Sequence, residues 1–193
     1  MCGRYSLFSK VDSEELRQIL ERAEKQAGEA LKDGEIFPTD LVPVLVERQG
    51  RMQVLAMKWG FPGRGGKGLV INARAETLLE RPMFREAAVT RRCIVPTTGF
   101  YEWDKSKNKY LFTLPGEEML YLAGLYDLGP VGDGSGELRF VVITTEPNAW
   151  MKEIHDRMPV VLKRQERRDW LLPGGNWQAL LDRSAVELEK RIV

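Results

Sequence analysis

The sequence predicts an α+β fold with a mostly antiparallel, barrel-like β core and peripheral helices. Two observations support this prediction. Short runs of β-branched and aliphatic residues recur along most of the 193 residues, and turns that contain glycine or proline separate them, as in antiparallel sheets. Apolar residues at helical spacing are confined to a few segments outside these runs.

The first predicted element is a long helix from Asp12 to about Lys32. Its apolar positions recur three or four residues apart, and Asp12 with Glu15 resembles a capping box. These positions are Leu16, Ile19, Leu20, Ala23, Ala27 and Leu31. Gly34 is the predicted end of the helix because glycine often follows the last helical turn.

A hairpin is predicted next, with strands at 41–47 and 52–58 around a turn at 48–51. The glycine-dense stretch 60–68 lacks the Gly-Lys-Ser/Thr ending and the following helix of a phosphate-binding loop. We therefore predict a flexible loop there.

The rest of the chain alternates between predicted strands and short helices. Strands are expected at 93–96, 109–114, 119–127 and 137–145, and helices at 82–90, 147–154, 165–172 and 176–181. An exposed loop is expected at 129–136. We predict one domain over residues 1–193, in which 173–193 form a helical extension.

Composition argues against several classes of protein. No apolar run approaches the roughly 18 residues of a membrane span, and the first residues do not form a secretory signal. The net charge is +1, so any surface that binds nucleic acid must be local. The two cysteines, Cys2 and Cys93, form neither a disulfide framework nor a metal-ligand spacing. We expect an intracellular protein with no metal, cofactor or membrane partner.

Cys2 is the most informative residue of the sequence. Removal of Met1 would place an α-amine and a thiol on one residue, and both groups are nucleophilic near neutral pH. Such a 1,2-aminothiol reacts with an aldehyde through an imine that the thiol closes into a thiazolidine. The alternative is a small apolar residue that merely packs.

Two titratable residues are candidates for proton transfer. His155 is the only histidine and stands beside Asp156 and Arg157, where it could act as an acid or a base. Glu102 lies among aromatic residues that would raise its pKa by desolvation. The alternatives are a structural histidine and an edge-strand glutamate that points to water.

Asn72 and Arg74 would share a face if their segment is extended. They could hold one ligand, because an amide orients an amine or hydroxyl and a guanidinium suits phosphate. The alternative is a turn cap with an ion pair between Arg74 and Glu76. Trp59 and Trp103 have rings that could stack on unpaired bases, although most tryptophans belong to the core.

Four segments together resemble the SOS-response-associated peptidase (SRAP) family, with their motifs in family order from residue 1 to about 172. The segments are Met1-Cys2-Gly3-Arg4-Tyr5, Asn72-Ala73-Arg74-Ala75-Glu76-Thr77, Gly99-Phe100-Tyr101-Glu102-Trp103 and His155-Asp156-Arg157-Met158-Pro159-Val160. The resemblance implies a DNA-damage-response protein that binds single-stranded DNA and crosslinks itself to abasic sites.

The resemblance also implies roles for individual residues. Cys2 would be the nucleophile, released by autocatalytic loss of Met1. Asn72 would orient the reacting group, Glu102 would transfer protons, and His155 would assist opening of the sugar ring.

The expected DNA contacts are Arg4, Arg74, Trp59, Phe61, Trp103, Pro38 and Thr39. The lack of a targeting run and the small size favour a bacterial, cytoplasmic protein, and we expect a monomer that associates with the nucleoid when DNA is damaged. Two other functions stay open on the sequence. One is a thiol peptidase that acts on other proteins, and the other is a non-covalent reader of modified or single-stranded DNA.

Overall fold

The computed structural model describes residues 3–129, 136–183 and 186–193. Within them the strands are β1 Tyr5–Leu7, β2 Gly34–Ile36, β3 Leu41–Arg48, β4 Arg51–Trp59, β5 Phe61–Pro62, β6 Leu69–Val70, β7 Asn72–Arg74, β8 Arg92–Thr97, β9 Gly99–Trp103, β10 Lys109–Thr113, β11 Leu120–Gly129, β12 Glu137–Thr145, β13 Met158–Pro159, β14 Val161–Leu162 and β15 Glu189–Ile192. The α-helices are α1 Glu14–Ala27, α2 Pro82–Thr90 and α3 Arg167–Leu171.

Five strands close into a barrel, in the order β12, β4, β3, β8, β11 and back to β12. All pairs in this ring are antiparallel except β12 with β4. Helices pack outside it: α1 lies on β3 and β4, α2 on β8 and β11, and α3 on β8. This confirms the predicted α+β class and the barrel-like core.

A second sheet has the strand order β15, β10, β9, β1, β2. Its centre is the antiparallel contact between β1 and β9, in which Tyr5 pairs with Phe100. Tyr5, Phe100 and Phe112 are fully buried, and Phe100 stacks on Phe112 with ring centroids 5.1 Å apart. The first described residues of the chain are therefore held inside a sheet.

Helix α1 is shorter than predicted. It begins after Ser13, whose hydroxyl accepts the Leu16 amide, and it ends at Gly28, which has φ = 72°. The predicted cap at Asp12 and the predicted end at Gly34 were wrong. Gly28 ends the helix because glycine adopts the left-handed conformation without a steric penalty.

Other predicted elements differ in kind. Residues 60–68, expected to form a flexible loop, contain strand β5 and its connection to β6, with which β5 forms a hairpin. Residues 147–154 form successive turns instead of a helix. After residue 173 the chain forms a 3-10 helix at Trp177–Leu181 and then strand β15 on β10, so the predicted helical extension was wrong in part. Most of the loop predicted at 129–136 lies outside the described residues.

Strand β12 connects the barrel to the segments that carry the candidate residues. Strand β7 runs parallel to it, with Asn72 opposite Val142 and Arg74 opposite Thr144. Strand β13 pairs with its end, where Met158 lies opposite Thr145. In the part of the chain that the structure describes, no helix has the length and apolar character needed to cross a membrane.

Candidate functional site

Glu102 is a buried carboxylate near the end of β9. Its strand register sets it opposite Tyr110 on β10, and only 2% of its surface is exposed. Burial raises the pKa of Glu102 to about 7, because an ionised carboxylate loses its hydration there. Near neutral pH this side chain can therefore both donate and accept a proton.

His155 faces Glu102 across the site. Its Nε2 atom lies 3.8 Å from a Glu102 carboxylate oxygen. Its Nδ1 atom accepts the backbone N–H of Arg157 at 3.1 Å and lies 2.9 Å from Oδ1 of the exposed Asp156. The backbone N–H favours the neutral tautomer with the proton on Nε2, whereas the carboxylate favours a proton on Nδ1.

Burial lowers the pKa of His155 below its ordinary value, although the charge of Asp156 acts in the opposite direction. The imidazole is therefore mainly neutral at the pH where Glu102 is partly protonated. The two residues form an acid–base pair near neutral pH. The sequence left two alternatives open, a structural histidine and a Glu102 that points to water. The burial of Glu102 and its contact with His155 disagree with both.

Asn72 and Arg74 lie on one face of strand β7, as the sequence predicted for an extended segment. Ala73 between them is buried, whereas Asn72 is half-buried and Arg74 is exposed. The alternative considered from the sequence was an ion pair between Arg74 and Glu76. The described contacts contain no such pair, and Glu76 pairs with Arg157 instead. The Arg74 side chain is thus accessible to a solvent-borne anion.

Arg157 ties two of the sequence motifs together. Its two terminal nitrogens donate to the two Glu76 carboxylate oxygens at 2.9 and 2.8 Å. It also donates to the Thr144 carbonyl of β12 at 2.8 Å. Although burial alone would raise the pKa of Glu76, hydrogen bonds from Arg157 lower it below its ordinary value. The ion pair fixes the segment after Asn72 beside the segment after His155.

Arg4 brings the start of the chain to the same place. Its carbonyl accepts the Tyr101 amide at 2.9 Å, so the chain before β1 runs beside the residues around Glu102. Cys2, the predicted nucleophile, lies outside the described residues and is separated from Arg4 by Gly3. Direct contacts thus join the second, third and fourth motifs of the sequence. The hydrogen bond from Tyr101 to Arg4 joins the described part of the first motif to the third.

The Arg4 guanidinium belongs to a cluster of charged and aromatic side chains that the sequence reasoning missed in part. Its Cζ atom lies 3.9 Å from the ring centroid of Phe37 and 5.3 Å from that of Trp103. Glu35 accepts from Arg4 at 3.2 Å and also pairs with Lys109. Lys109 lies opposite Trp103 across the β9–β10 hairpin, which brings it to the same cluster.

Trp59 and Phe61 are not at the surface, which corrects their prediction as base-stacking residues. Trp59 is fully buried, stacks at 8° on Phe140 and donates its indole N–H to the Ile71 carbonyl at 3.0 Å. Phe61 is 5% exposed and packs against Phe84. Both rings are buried, so neither is open to a base.

Pro38 and Thr39 form an accessible turn between β2 and β3. Pro38 is half-buried and Thr39 is exposed. Thr39 has φ = 79°, an uncommon conformation for a β-branched residue, and its amide donates to the Trp59 carbonyl at 2.8 Å. Trp103, the third predicted aromatic contact, is partly exposed beside Arg4.

The site therefore combines the buried Glu102 and the half-buried His155 with the half-buried Arg4 and the exposed Arg74, an arrangement suited to proton transfer on an anionic substrate. Among the described residues, no group of three or more histidine, cysteine, aspartate or glutamate side chains could hold a metal ion.

Comparison with known proteins gives the family. The family model described as SOS response associated peptidase (SRAP) matches residues 1–191, and the chain belongs to this family. It is similar to abasic site processing protein YoaM of Bacillus subtilis, with 33% identity over 90% of this chain and 80% of that protein. It is also similar to abasic site processing protein YedK of Escherichia coli, with 27% identity over 89% of this chain and 79% of that protein.

The fold also matches a crystal structure of a protein from Bacteroides thetaiotaomicron. The TM-score is 0.84 at 24% sequence identity, and the match covers all of this chain and 92% of the other. At this identity the comparison shows a shared fold. The family predicted from the four motifs is confirmed, and the match extends past residue 172 to residue 191.

Proposed function

We propose that this protein binds single-stranded DNA and crosslinks covalently to abasic sites through Cys2 after loss of Met1. The observation that carries the proposal is the Glu102–His155 pair, with its 3.8 Å separation and the raised pKa of Glu102, beside the segment that follows Cys2. The names of its relatives, abasic site processing proteins, support DNA with abasic sites as the substrate.

The chemistry requires both nucleophiles of Cys2. The ring-opened sugar of an abasic site carries an aldehyde at C1′, and the α-amine adds to this carbon to give a carbinolamine. Loss of the hydroxyl as water, with a proton from an acid, leaves an iminium ion, and the thiol sulfur then adds to the same carbon and gives up its proton to the conjugate base. The product is a thiazolidine, and the net reaction releases one water.

Glu102 and His155 supply the proton transfers in this scheme. Protonated Glu102 gives a proton to the departing hydroxyl, and the resulting carboxylate accepts a proton from the thiol. His155 shifts a proton from the C1′ hydroxyl toward the ring oxygen, which opens the sugar. Asn72 orients the reacting group through its amide.

Loss of Met1 is a hydrolysis in the same scheme, and one water is consumed for the peptide bond that breaks. The same acid–base pair serves it, so the peptidase activity is directed at the protein's own first bond. Because an ordinary peptidase gains nothing from a terminal nucleophile, aldehyde capture explains the position of Cys2 better than proteolysis of other proteins.

DNA binding in this proposal is local and electrostatic. Arg4 and Arg74 contact phosphates on either side of the lesion, while Trp103, Pro38 and Thr39 line the path of the strand. Binding should weaken as salt rises, because each neutralised phosphate releases a counterion. We propose that the protein acts as a monomer on damaged DNA in the bacterial cytoplasm.

The test is a denaturing gel of the protein with a single-stranded oligonucleotide that contains one abasic site. We expect a heat-stable shifted band, with a mass equal to protein lacking Met1 plus oligonucleotide minus one water. Cys2→Ser keeps the amine but cannot form the thiazolidine, so its band should disappear. Cys93→Ala, which removes the buried second thiol, should keep it.

Two substrate controls complete the experiment. An intact oligonucleotide and one whose abasic aldehyde has been reduced to an alcohol should both give no band. If protein that begins at Cys2 gives no band with the abasic site, the crosslinking function is wrong. Cleavage of added protein substrates, or binding without a covalent product, would then favour one of the two alternatives.

A further inference from the structure

Phe37 is an exposed aromatic residue at the edge of the candidate site. It follows strand β2 and is 39% exposed. One face of its ring is covered by the Arg4 guanidinium, whose Cζ lies 3.9 Å from the centroid. The rest of the ring faces solvent beside an arginine that the proposed function assigns to a DNA phosphate.

The turn that carries Phe37 is held by several hydrogen bonds. The Phe37 amide donates to the Asp40 carboxylate at 2.8 Å, and the Asp40 amide donates to the Phe37 carbonyl at 3.1 Å. Thr39 in this turn has φ = 79°, a conformation that is strained for a β-branched residue and persists only where the surroundings hold it. Phe37 therefore stands on a fixed support.

Two basic side chains lie near the ring. Arg4 and Lys109 both contact Glu35, while the Asp40 carboxylate is engaged by the Phe37 amide. Beyond Arg4 lies the partly exposed Trp103, with the Lys109 ammonium 5.9 Å from its ring centroid. Aromatic rings beside basic side chains are the arrangement that binds single-stranded nucleic acid.

We propose that Phe37 stacks on the nucleobase next to the abasic site, while Arg4, packed on the same ring, contacts the adjoining phosphate. The inference rests on the proposed function. A base beside an abasic site lacks one of its two stacking partners, and the Phe37 ring replaces that partner. Phe37 is thus a specificity-determining residue that favours abasic over intact single strands.

The test measures binding without covalent chemistry. A labelled single-stranded oligonucleotide carries one tetrahydrofuran abasic analogue, which has no aldehyde, and fluorescence anisotropy gives its affinity. Phe37→Ala should weaken binding about 5- to 100-fold, the range that loss of one stacked base produces. Phe37→Trp should retain affinity. Phe37→Leu should lose nearly as much as alanine, because it keeps apolar bulk without a ring.

Phe8 offers a matched control. It is 40% exposed and lies at the opposite end of the β1–β2 pair, where its ring approaches Gly34. Phe8→Ala should leave the affinity unchanged.

Two further readouts separate stacking from support of Arg4. If Phe37 contacts a base, removal of both bases that flank the analogue should abolish the effect of Phe37→Ala, and the salt dependence should stay that of the wild type. If Phe37 acts only by holding Arg4, Phe37→Ala should make the affinity less dependent on salt. The slope of log affinity against log salt should then decrease by about one phosphate contact, as it should in Arg4→Gln. That result would overturn the inference.

The outcomes also separate this inference from the proposed function. If the wild-type protein binds the analogue through Phe37 but forms no crosslink, the stacking role of Phe37 is supported and the crosslinking function is wrong. A wild-type protein that crosslinks, with equal affinity in Phe37→Ala, loses the inference alone. Absence of any binding by the wild-type protein contradicts both.

Discussion

Replacement of Glu102 by glutamine should stabilise the fold at high pH while it impairs the reaction. The pKa of Glu102 rises from 4.5 to about 7 because the carboxylate is buried. Between these values the unfolded chain has lost the proton that the folded protein keeps, so stability falls as pH rises. Each unit of difference between the folded and unfolded pKa values corresponds to about 1.4 kcal/mol. The free energy of unfolding therefore falls by roughly 3 kcal/mol by about pH 7.

The neutral Glu102→Gln side chain does not titrate, so the variant lacks this loss. Urea unfolding of both proteins from about pH 4 to about pH 8 measures the difference in the free energy of unfolding. The variant should gain roughly 3 kcal/mol on the wild type across this range. Subtraction of the two curves removes the contribution of His155, which both proteins share. Glu118→Gln, at an exposed carboxylate, controls for the loss of one charge.

Crosslinking by the same variant should be slower by about 100- to 10,000-fold, the usual effect of losing a general acid–base group. If the difference between the two stability curves does not change with pH, the raised pKa of Glu102 in the folded protein is refuted. Full crosslinking activity in Glu102→Gln would instead remove Glu102 from the proton transfers while leaving its burial intact.

Three further substitutions test the packing around the site. Trp59→Phe should lower the free energy of unfolding by about 1 to 3 kcal/mol, because the smaller ring leaves a cavity in the core and removes one of the two hydrogen bonds to the Ile71 carbonyl, and DNA affinity should not change. Arg157→Lys cannot keep the paired hydrogen bonds to Glu76 and should slow crosslinking more than it weakens DNA binding, as rate and anisotropy measurements would reveal. Gly124→Ala should destabilise the barrel in thermal unfolding, because the added carbon would lie 2.8 Å from a backbone oxygen.

Local patterns predicted most of the barrel strands and helix α2 correctly. The hairpin of β3 and β4 illustrates why: both strands are rich in aliphatic residues, and Gln49 and Gly50 between them have φ = 55° and 76°, as a tight hairpin turn requires. The end of α1 was predicted wrongly because Leu31 continues the helical spacing past Gly28, where the chain in fact leaves the helix.

Features that depend on distant pairing could not be predicted locally. Strand β15 is exposed along its whole length and exists through its pairing with β10. The burial of Trp59 against Phe140 likewise depends on closure of the barrel. At the site, Arg4 before β1 contacts Phe37 after β2, and the pairing of these two strands brings them together. Nothing in the sequence near either residue predicts this contact.

The position of β12 in the chain has a consequence for synthesis. This strand, residues 137–145, closes the barrel and also pairs with β7, which contains Asn72, and with β13, which follows His155. A growing polypeptide that has already emerged past Glu102 still lacks the strand against which Asn72 is aligned. The acid–base pair is complete only when His155 has followed. A chain synthesised only as far as β11 therefore lacks both the strand that aligns Asn72 and the His155 side chain that faces Glu102.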